Sequence, residues 1–280
     1  MDIYTLPEYL NPDTSEQLQL YDYQSSNDLA RSKINLTHNT FSFLQEGTKE
    51  VMTQDVPVAI GNTDFLIMKS GHCLMTEKLS QDSKQYRSLL LFFSDDLLTR
   101  FIRKHKLSPS QSALHKPIQV CQYDAFSQSF INSLKGLKHL SKTTQSRLLE
   151  VKLEEIMIYL VETQGTDFLN FLTANTNDQT RNFINVVESN TLNKLTLKEL
   201  AFLSNMSLST FKREFEKQFG ESPSRWFQHK RLEHAATLLR DKSRRPTEIY
   251  EEVGYESLSN FIQAFKAKYG QTPKQYQLEH

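Results

Sequence analysis

Two stretches near the end of the chain repeat one residue pattern at a fixed interval of 50 positions. The first runs from Leu208 to Trp226 and the second from Leu258 to Tyr276. The matched pairs are Leu208/Leu258, Ser209/Ser259, Phe211/Phe261, Phe215/Phe265, Phe219/Tyr269, Gly220/Gly270, Pro223/Pro273 and Trp226/Tyr276. A repeat of this kind indicates one supersecondary unit present twice, so both copies must solve the same packing problem.

Signals for a short helix and a tight turn precede each copy. In the first copy, Thr196 and Glu199 have the spacing of a capping box, and Ser207 is placed to start the repeat helix. In the second copy, Pro246 favours a helix start and Gly254 favours a turn. A helix, a tight turn and a second helix is the arrangement that lays the second helix in the major groove of DNA. The repeat therefore predicts two helix-turn-helix units.

The repeat helix has one aromatic face and one polar face. Aromatic residues at helical spacing are interpreted as core. The opposite face offers Arg and Lys, which suit guanine edges, and Asn and Gln, which suit adenine edges. The predicted DNA-contacting residues are Ser209, Lys212, Arg213, Lys217, Ser259, Asn260, Ile262, Gln263 and Lys266. An ordinary solvated helix surface is the alternative interpretation.

A helix of about 18 residues, from Pro223 to about Arg240, is predicted between the two copies. It would reach about 27 Å, and successive major-groove faces lie about 34 Å apart. With the width of each unit added, this connector can hold two reading helices one turn apart on the same DNA face.

Residues 181–277 resemble the DNA-binding domain of the AraC/XylS family of bacterial transcription regulators. The resemblance covers both helix-turn-helix units, the connector pattern Arg231-Leu232-x-x-Ala235-x-x-Leu238-Leu239 and the closing Phe265-x-x-x-Tyr269-Gly270-x-Thr272-Pro273-x-x-Tyr276. It implies that the base-facing positions are held by Ser209, Lys212, Arg213, Ser259, Asn260, Ile262 and Gln263. The chain departs from the family at Tyr250-Glu251, where Ile-Ala is usual, and at Gln263, where Arg is common. The second helix-turn-helix is therefore expected to bind DNA less tightly or to read a different base.

The chain before the repeat changes from a strand pattern to a helix pattern. Residues 24–94 alternate short apolar runs with turn signals, and Leu89–Phe93 is typical of a strand buried on both faces. Helices are expected from Ser94 or Asp95 to about Lys106, at Tyr123–Leu140 and at Thr144–Glu162. In the second of the last two, Leu149, Leu153, Ile156 and Leu160 have the spacing of a helix pair. They are predicted to mediate dimerisation, with an intradomain hairpin as the alternative.

The predicted fold class is α+β, with an N-terminal cupin-like β-barrel or sandwich that carries a helical dimerisation hairpin. An all-α domain with two helix-turn-helix units joined by a long helix follows. The expected domains are regulatory residues 1–175 and DNA-binding residues 176–277, with residues 278–280 as a tag remnant. The cupin-like assignment comes from a second, weaker resemblance to the family, whose members use this domain to sense a small molecule or a partner protein.

A ligand pocket is predicted in the barrel, with a filled apolar core as the alternative. Its expected lining is Phe41, Phe43, Phe65, Leu90 and Phe92, which would suit a small apolar effector. No metal or other cofactor is expected, because His72 and Glu77 lack the His-x-His pair of metal-binding cupins and His38 stands alone.

Charge and composition narrow the class of function. The net charge is zero, yet residues 181–277 hold 16 Lys and Arg against 11 Asp and Glu, so the repeat-bearing end suits a polyanion. Two cysteines without metal or redox spacing, and the lack of a long apolar run, favour a cytoplasmic protein with no membrane partner. The leading hypothesis is a sequence-specific transcription regulator, by resemblance an activator that binds promoter DNA and RNA polymerase. The rivals are an architectural protein without sequence preference and a cupin-type enzyme, which lacks a metal triad, a nucleophile elbow and a phosphate loop.

Overall fold

Strands occupy much of the chain up to residue 122, as the alternation of apolar runs and turns predicts. The structure, a computed structural model, describes residues 3–11, 16–53, 57–108, 117–173 and 179–280. Its strands in chain order are β1 Ile3–Leu6, β2 Leu18–Ser25, β3 Leu29–Leu36, β4 Asn39–Glu46, β5 Thr48–Met52, β6 Val58–Ile60, β7 Asp64–Met68, β8 Gly71–Lys78, β9 Tyr86–Phe93 and β10 Ile118–Gln122. They belong to the first of two compact units, Met1–Gln179 and Thr180–His280.

Two five-stranded sheets form this unit. One has the strand order β1-β3-β8-β5-β6 and the other β10-β7-β4-β9-β2. Apolar side chains from both sheets meet in one core cluster. Leu90 and Phe92 of β9 lie in that core, whereas Leu89, Leu91 and Phe93 lie in a second core against the helices. The prediction of a strand buried on both faces is confirmed.

Three of the strands have no counterpart in the sequence-based prediction. The first two lie in an acidic, proline-containing segment, where β1 pairs parallel with β3 and β2 pairs antiparallel with β9. In β5 the charged pair Lys49 and Glu50 obscures the apolar alternation. Each of these strands is stabilised by a neighbour distant in sequence, so its own residues carry little local signal.

Four helices pack on the outer face of the second sheet. They are α1 Asp95–Lys104, α2 Ala125–Gly136, α3 Lys142–Gln164 and α4 Asp167–Thr173. Ser94 caps α1, as predicted, with its Oγ accepting from the Leu97 amide at 3.3 Å. The expected helix over Tyr123–Leu140 is shorter at both ends. Asp124 caps it through a capping box with Ser127, and a 3-10 turn replaces its last residues.

The second unit is entirely helical in the residues that the structure describes. Its helices are α5 Gln179–Ser189, α6 Leu197–Leu203, α7 Leu208–Phe219, α8 Pro223–Leu239, α9 Pro246–Glu252, α10 Leu258–Tyr269 and α11 Pro273–Glu279. Thr196 and Glu199 form the expected capping box, and Ser207 accepts the Thr210 amide at 3.1 Å. None of the helices described, in either unit, combines the length and the apolar character needed to cross a membrane.

The two copies of the repeat build two small cores that share α8. In the first core, Phe183 of α5 meets Phe211 and Phe215 of α7 at ring distances of 5.3 and 6.2 Å. Trp226 at the start of α8 completes it, 5.6 Å from Phe215. The second core combines residues from the rest of α8 with those of α9, α10 and α11, namely Leu232, Ala235, Ala236, Leu239, Ile249, Val253, Phe261, Phe265 and Tyr276. The assignment of the aromatic stripes to core is confirmed.

Phe215→Ala is expected to destabilise the second unit by about 3–5 kcal/mol, because its side chain is fully buried among aromatic rings. Trp226 is the only tryptophan of the chain and contacts Phe215, so its fluorescence in a urea titration reports on this unit. Glu216→Ala, at the next and exposed position of the same helix, is the matched control. An unchanged urea midpoint for Phe215→Ala would contradict the assigned faces.

Candidate DNA interface

Each helix-turn-helix unit turns through one residue with a positive φ angle. The residue is Asn205 in the first unit (φ 54°) and Gly254 in the second (φ 84°), and both types tolerate this conformation. The second turn is longer: four residues separate α6 from α7, and five separate α9 from α10. The two units therefore match at an interval of 49 residues before the turn and 50 after it. The sequence pattern after the turn did not reveal this extra residue.

The predicted face of α7 is open to solvent. Ser209, Lys212 and Arg213 are exposed and lie in the first half of the helix. Ser207 caps the helix by accepting the Thr210 amide, and the other amides of the first turn have no partner within the helix. A cationic surface next to a helix N-terminus favours an anionic partner.

Lys217, also predicted to contact DNA, is partly neutralised. Its Nζ lies 3.4 Å from Oε1 of Glu214. That carboxylate also accepts from Nε2 of Gln218 at 2.7 Å, and this hydrogen bond is the main cause of the lowered pKa of Glu214. Lys217 therefore has less free positive charge to offer a phosphate than Lys212 or Arg213.

On α10 the structure exposes four of the five predicted residues. The exposed residues are Ser259, Asn260, Gln263 and Lys266. Ile262 is partly buried against the second of the two small cores, which α8, α9, α10 and α11 form. The polar groups on this face are mostly neutral. The second reading helix can thus exchange hydrogen bonds with bases, but it carries less charge than α7.

The connector α8 packs against both predicted reading helices, α7 and α10. Towards its start, Trp226 and Phe227 pack on α7. Further along, Nζ of Lys268 from α10 donates to the His229 carbonyl at 2.9 Å and to Oε1 of Glu233 at 3.0 Å. The hydrogen bond from Lys268 is the main cause of the lowered pKa of Glu233. At 17 residues, α8 is about 26 Å long.

The predicted pocket residues divide between two faces of a sheet in the first unit. Phe41, Phe43 and Phe65 lie in the core that contacts the helices. Only Leu90 and Phe92 line a cavity of about 130 Å³ between the sheets. Phe41 and Phe43 do share a face, as period-two spacing predicts, and their rings stack at 5.9 Å. The five residues do not line one interior, because strand alternation sends those of odd number to the helix side.

A buried ion pair lies on the wall of this cavity. Nζ of Lys49 is 3.4 Å from Oε1 of Glu77 and 3.0 Å from Oγ of Ser42. The two charged residues are 2% and 5% exposed. Burial, with a contribution from the Glu77 carboxylate, raises the pKa of Tyr23 to about 12. Sequence analysis missed Lys49 because it did not recognise β5 as a strand.

The predicted dimerisation residues are already packed within the chain. Leu149, Leu153, Ile156 and Leu160 are buried in the core between α3 and the second sheet. The same helix exposes a different apolar row, which consists of Leu148, Val151 and Ile158.

Residues considered for metal or redox chemistry are dispersed. Nδ1 of His38 lies 2.9 Å from Oγ1 of Thr37, whereas Glu77 is in the ion pair with Lys49. The residues that the structure describes contain no group of three or more metal-ligating side chains. Burial raises the pKa of Cys73 to about 12 and that of Cys121 to about 11, so both thiols stay protonated at neutral pH.

Two family profiles match the chain, one in each unit. Residues 200–279 match a profile described as a helix-turn-helix domain. Residues 39–171 match one described as the ExsA N-terminal regulatory domain. The first match contains both reading helices, and the second contains most of the two sheets and the helices that follow them.

Similar proteins include known regulators. The chain is 25% identical over 233 residues to the HTH-type transcriptional regulator ExsA of Pseudomonas aeruginosa, and this match covers 82% of each chain. It is 32% identical over 134 residues to the virulence regulon transcriptional activator VirF of Yersinia enterocolitica, covering 48% of this chain and about half (49%) of that one. A crystal structure of ToxT from Vibrio cholerae aligns with 94% of this chain and 98% of its own, at 12% identity and a TM-score of 0.41, which is too low to carry weight.

The profile matches, the relatives and the duplicated helix-turn-helix agree on one assignment. A regulatory profile on the first unit and a DNA-binding profile on the second match the two structural units in order. The chain is a two-domain DNA-binding regulator similar to the AraC/XylS family of bacterial transcription regulators, with an N-terminal regulatory domain followed by a DNA-binding domain.

Proposed function

We propose that this protein recognises specific promoter sequences by placing α7 and α10 in two successive major grooves on one face of the DNA. The observation that carries the proposal is the contrast between conserved spacing and changed chemistry in the two helices. Both expose polar residues in their first two turns, but Lys212 and Arg213 of the first helix stand where the second has Ile262 and Gln263. Two identical reading faces would bind one short motif twice, whereas two different faces define a longer, directional site.

The dimensions of α8 support this arrangement. The helix is about 26 Å long, and adjacent major-groove faces are about 34 Å apart. Since α7 packs on the start of α8 and α10 packs on it from His229 onward, the widths of the two helices add to the separation of their outer faces. One chain would then occupy about 20 base pairs, or two helical turns.

The proposed role is activation of transcription in the cytoplasm, through contact with RNA polymerase at a promoter. VirF is named a transcriptional activator, and its similarity to this chain supports the same sign of regulation. The rival function is architectural binding without sequence preference. Equal affinities for a promoter fragment and for random duplexes of the same length would favour that rival.

Arg213→Ala is expected to weaken binding to a selected duplex by about 1–3 kcal/mol, because a guanidinium can form two hydrogen bonds with guanine. Binding to a random duplex should fall much less. The comparison uses fluorescence anisotropy on both duplexes, with Arg103→Ala as a control that removes an exposed arginine from the first unit. An equal loss on both duplexes would show that Arg213 contacts only phosphate.

The cavity in the first unit is the proposed effector site. Apart from the ion pair, its wall is mostly apolar and includes Ile34, Leu36, Met68, Met75, Leu90 and Phe92. Its volume of about 130 Å³ is close to the roughly 150 Å³ of an engineered apolar cavity that binds benzene. Because Lys49 and Glu77 also line it, a small ring that carries one polar group fits this chemistry better than a pure hydrocarbon.

Phenol is a suitable probe of this cavity. It is expected to raise the melting temperature of the wild-type protein in a concentration-dependent way, since a ligand that binds only the folded state stabilises it. Leu90→Phe, which fills part of the cavity, should remove this effect. Val120→Phe adds bulk at an exposed position of β10 and should keep it. Equal shifts in both variants, measured by calorimetry, would place phenol outside the cavity.

The exposed row on α3 is the proposed contact of a homodimer. Val151 and Ile158 are 59% and 45% exposed, and Leu148 continues the row. Arg147 lies in the first third of the helix and Glu162 near its end. An antiparallel pair of α3 helices would join the apolar rows and bring Arg147 of each copy towards Glu162 of the other.

Val151→Glu/Ile158→Glu is expected to leave a folded monomer, because the row contributes to no core within the chain. Ser146→Glu/Thr163→Glu adds the same charge at exposed positions of α3 outside the row and should leave the dimer intact. Sedimentation equilibrium measures both. A monomeric wild-type protein across the micromolar range would contradict the proposed dimer.

A further inference from the structure

We infer that the loop from Arg240 to Arg245 is a third DNA contact, which binds backbone phosphates beside the second reading helix. This inference rests on the proposed DNA-binding function and extends it beyond the two reading helices. Its ligand is the phosphate chain of duplex DNA. None of its residues is among the predicted base-facing positions.

The loop has a high density of free positive charge. Arg240, Lys242 and Arg245 are exposed, and none of their side chains forms an ion pair with the residues that the structure describes. The fourth cation, Arg244, is used internally, because its guanidinium pairs with the carboxylate of Glu252 on α9. Three cations within six residues therefore remain available to an external anion.

Hydrogen bonds order the backbone of the loop. Nε2 of Gln277, which is 4% exposed, donates to the carbonyls of Asp241 at 3.3 Å and of Arg244 at 2.6 Å. The amide of Ser243 donates to Oδ1 of Asp241 at 2.9 Å. These bonds use the loop's backbone and its acidic side chain and leave the three cationic side chains outside. A loop whose backbone is already ordered loses less conformational entropy when its side chains bind a partner.

The equivalent loop of the first helix-turn-helix carries less charge, with one cation, Lys194, against four in the second. Aligning the N-cap residues Thr196 and Arg245 matches the two loops at an interval of 49 residues. Arg240, Lys242 and Arg245 then correspond to the neutral residues Thr191, Asn193 and Thr196. The fold of a helix-turn-helix unit therefore does not require cations at these three positions. Their presence in the unit whose reading helix carries less charge indicates a second way of anchoring it.

The loop's position in the motif matches a phosphate contact. In helix-turn-helix proteins the second helix enters the major groove while the first crosses the backbone. The first helix, α9, has seven residues and spans about 10 Å, and the groove is about 12 Å wide. With the start of α10 in the groove, the start of α9 lies near one of the two phosphate backbones that border the groove. The loop precedes this helix and reaches the phosphates there.

The test measures the salt dependence of binding by the full-length protein. Two duplexes of about 40 base pairs are compared, one selected from a random pool with the wild-type protein and one of random sequence. The test variant is Arg240→Ala/Lys242→Ala/Arg245→Ala. The control is Lys84→Ala/Arg103→Ala/Lys138→Ala, which removes the same charge from exposed positions of the first unit. Trp226 fluorescence in urea verifies that the second unit of each variant is folded.

Log affinity falls linearly with log salt, and each phosphate contact contributes about 0.9 to the steepness of this fall. The loop variant should therefore make the fall less steep by about 2–3. Near physiological salt its affinity should fall on the order of 100-fold on both duplexes, and the ratio between them should hold. An unchanged slope, or a loss confined to the selected duplex, would overturn the inference. Equal wild-type binding to both duplexes would contradict sequence-specific recognition, whereas the slope on random DNA would still decide the loop's role.

Discussion

The DNA-binding unit depends on the packing of one shared helix. Near its start, α8 places Trp226 against Phe215, and further along it places Leu232 and Leu239 in the core that holds Phe265. Each core is therefore closed on one side by the same helix. Because burial of large apolar side chains dominates the stability of small domains, neither core is independent of α8. The two reading helices are held at a fixed separation for the same reason.

The parts of the fold that could be predicted were those with a strong local signal. The caps at Ser94, Thr196 and Ser207 and the aromatic stripes specify helices through contacts within a few residues, so their assignment needed no tertiary information. Strands β1, β2 and β5 depend on partners far along the chain and were missed. The same limit applies to the sites. Spacing identified the exposed face of α7. It could not show that Leu149 of α3 and Phe43 of β4 would be buried in the same core.

Charge is distributed differently from fold in the two halves of the repeat. The buried residues are nearly the same in both halves, since any change there costs stability. The exposed cations differ in place: they lie on α7 in the first half and mainly in the loop Arg240–Arg245 in the second. The regulatory unit shows the reverse arrangement, with its Lys49–Glu77 ion pair buried at the cavity wall. Burying such a pair costs desolvation energy, and removing one partner would leave an unpaired charge. A cavity built around it constrains the chemistry of any occupant.

The helix α8, which joins the two reading helices, has a consequence for the DNA itself. An α-helix with packed residues along its length resists bending, so α8 acts as a ruler rather than as a hinge. One base pair added between the two contacted segments would turn the second groove by about 35° around the DNA axis. A flexible linker would absorb that rotation. Here the duplex would have to twist or bend to restore contact, at a cost that depends on the stiffness of the intervening sequence. Base pairs that the protein never touches would thereby become part of its target.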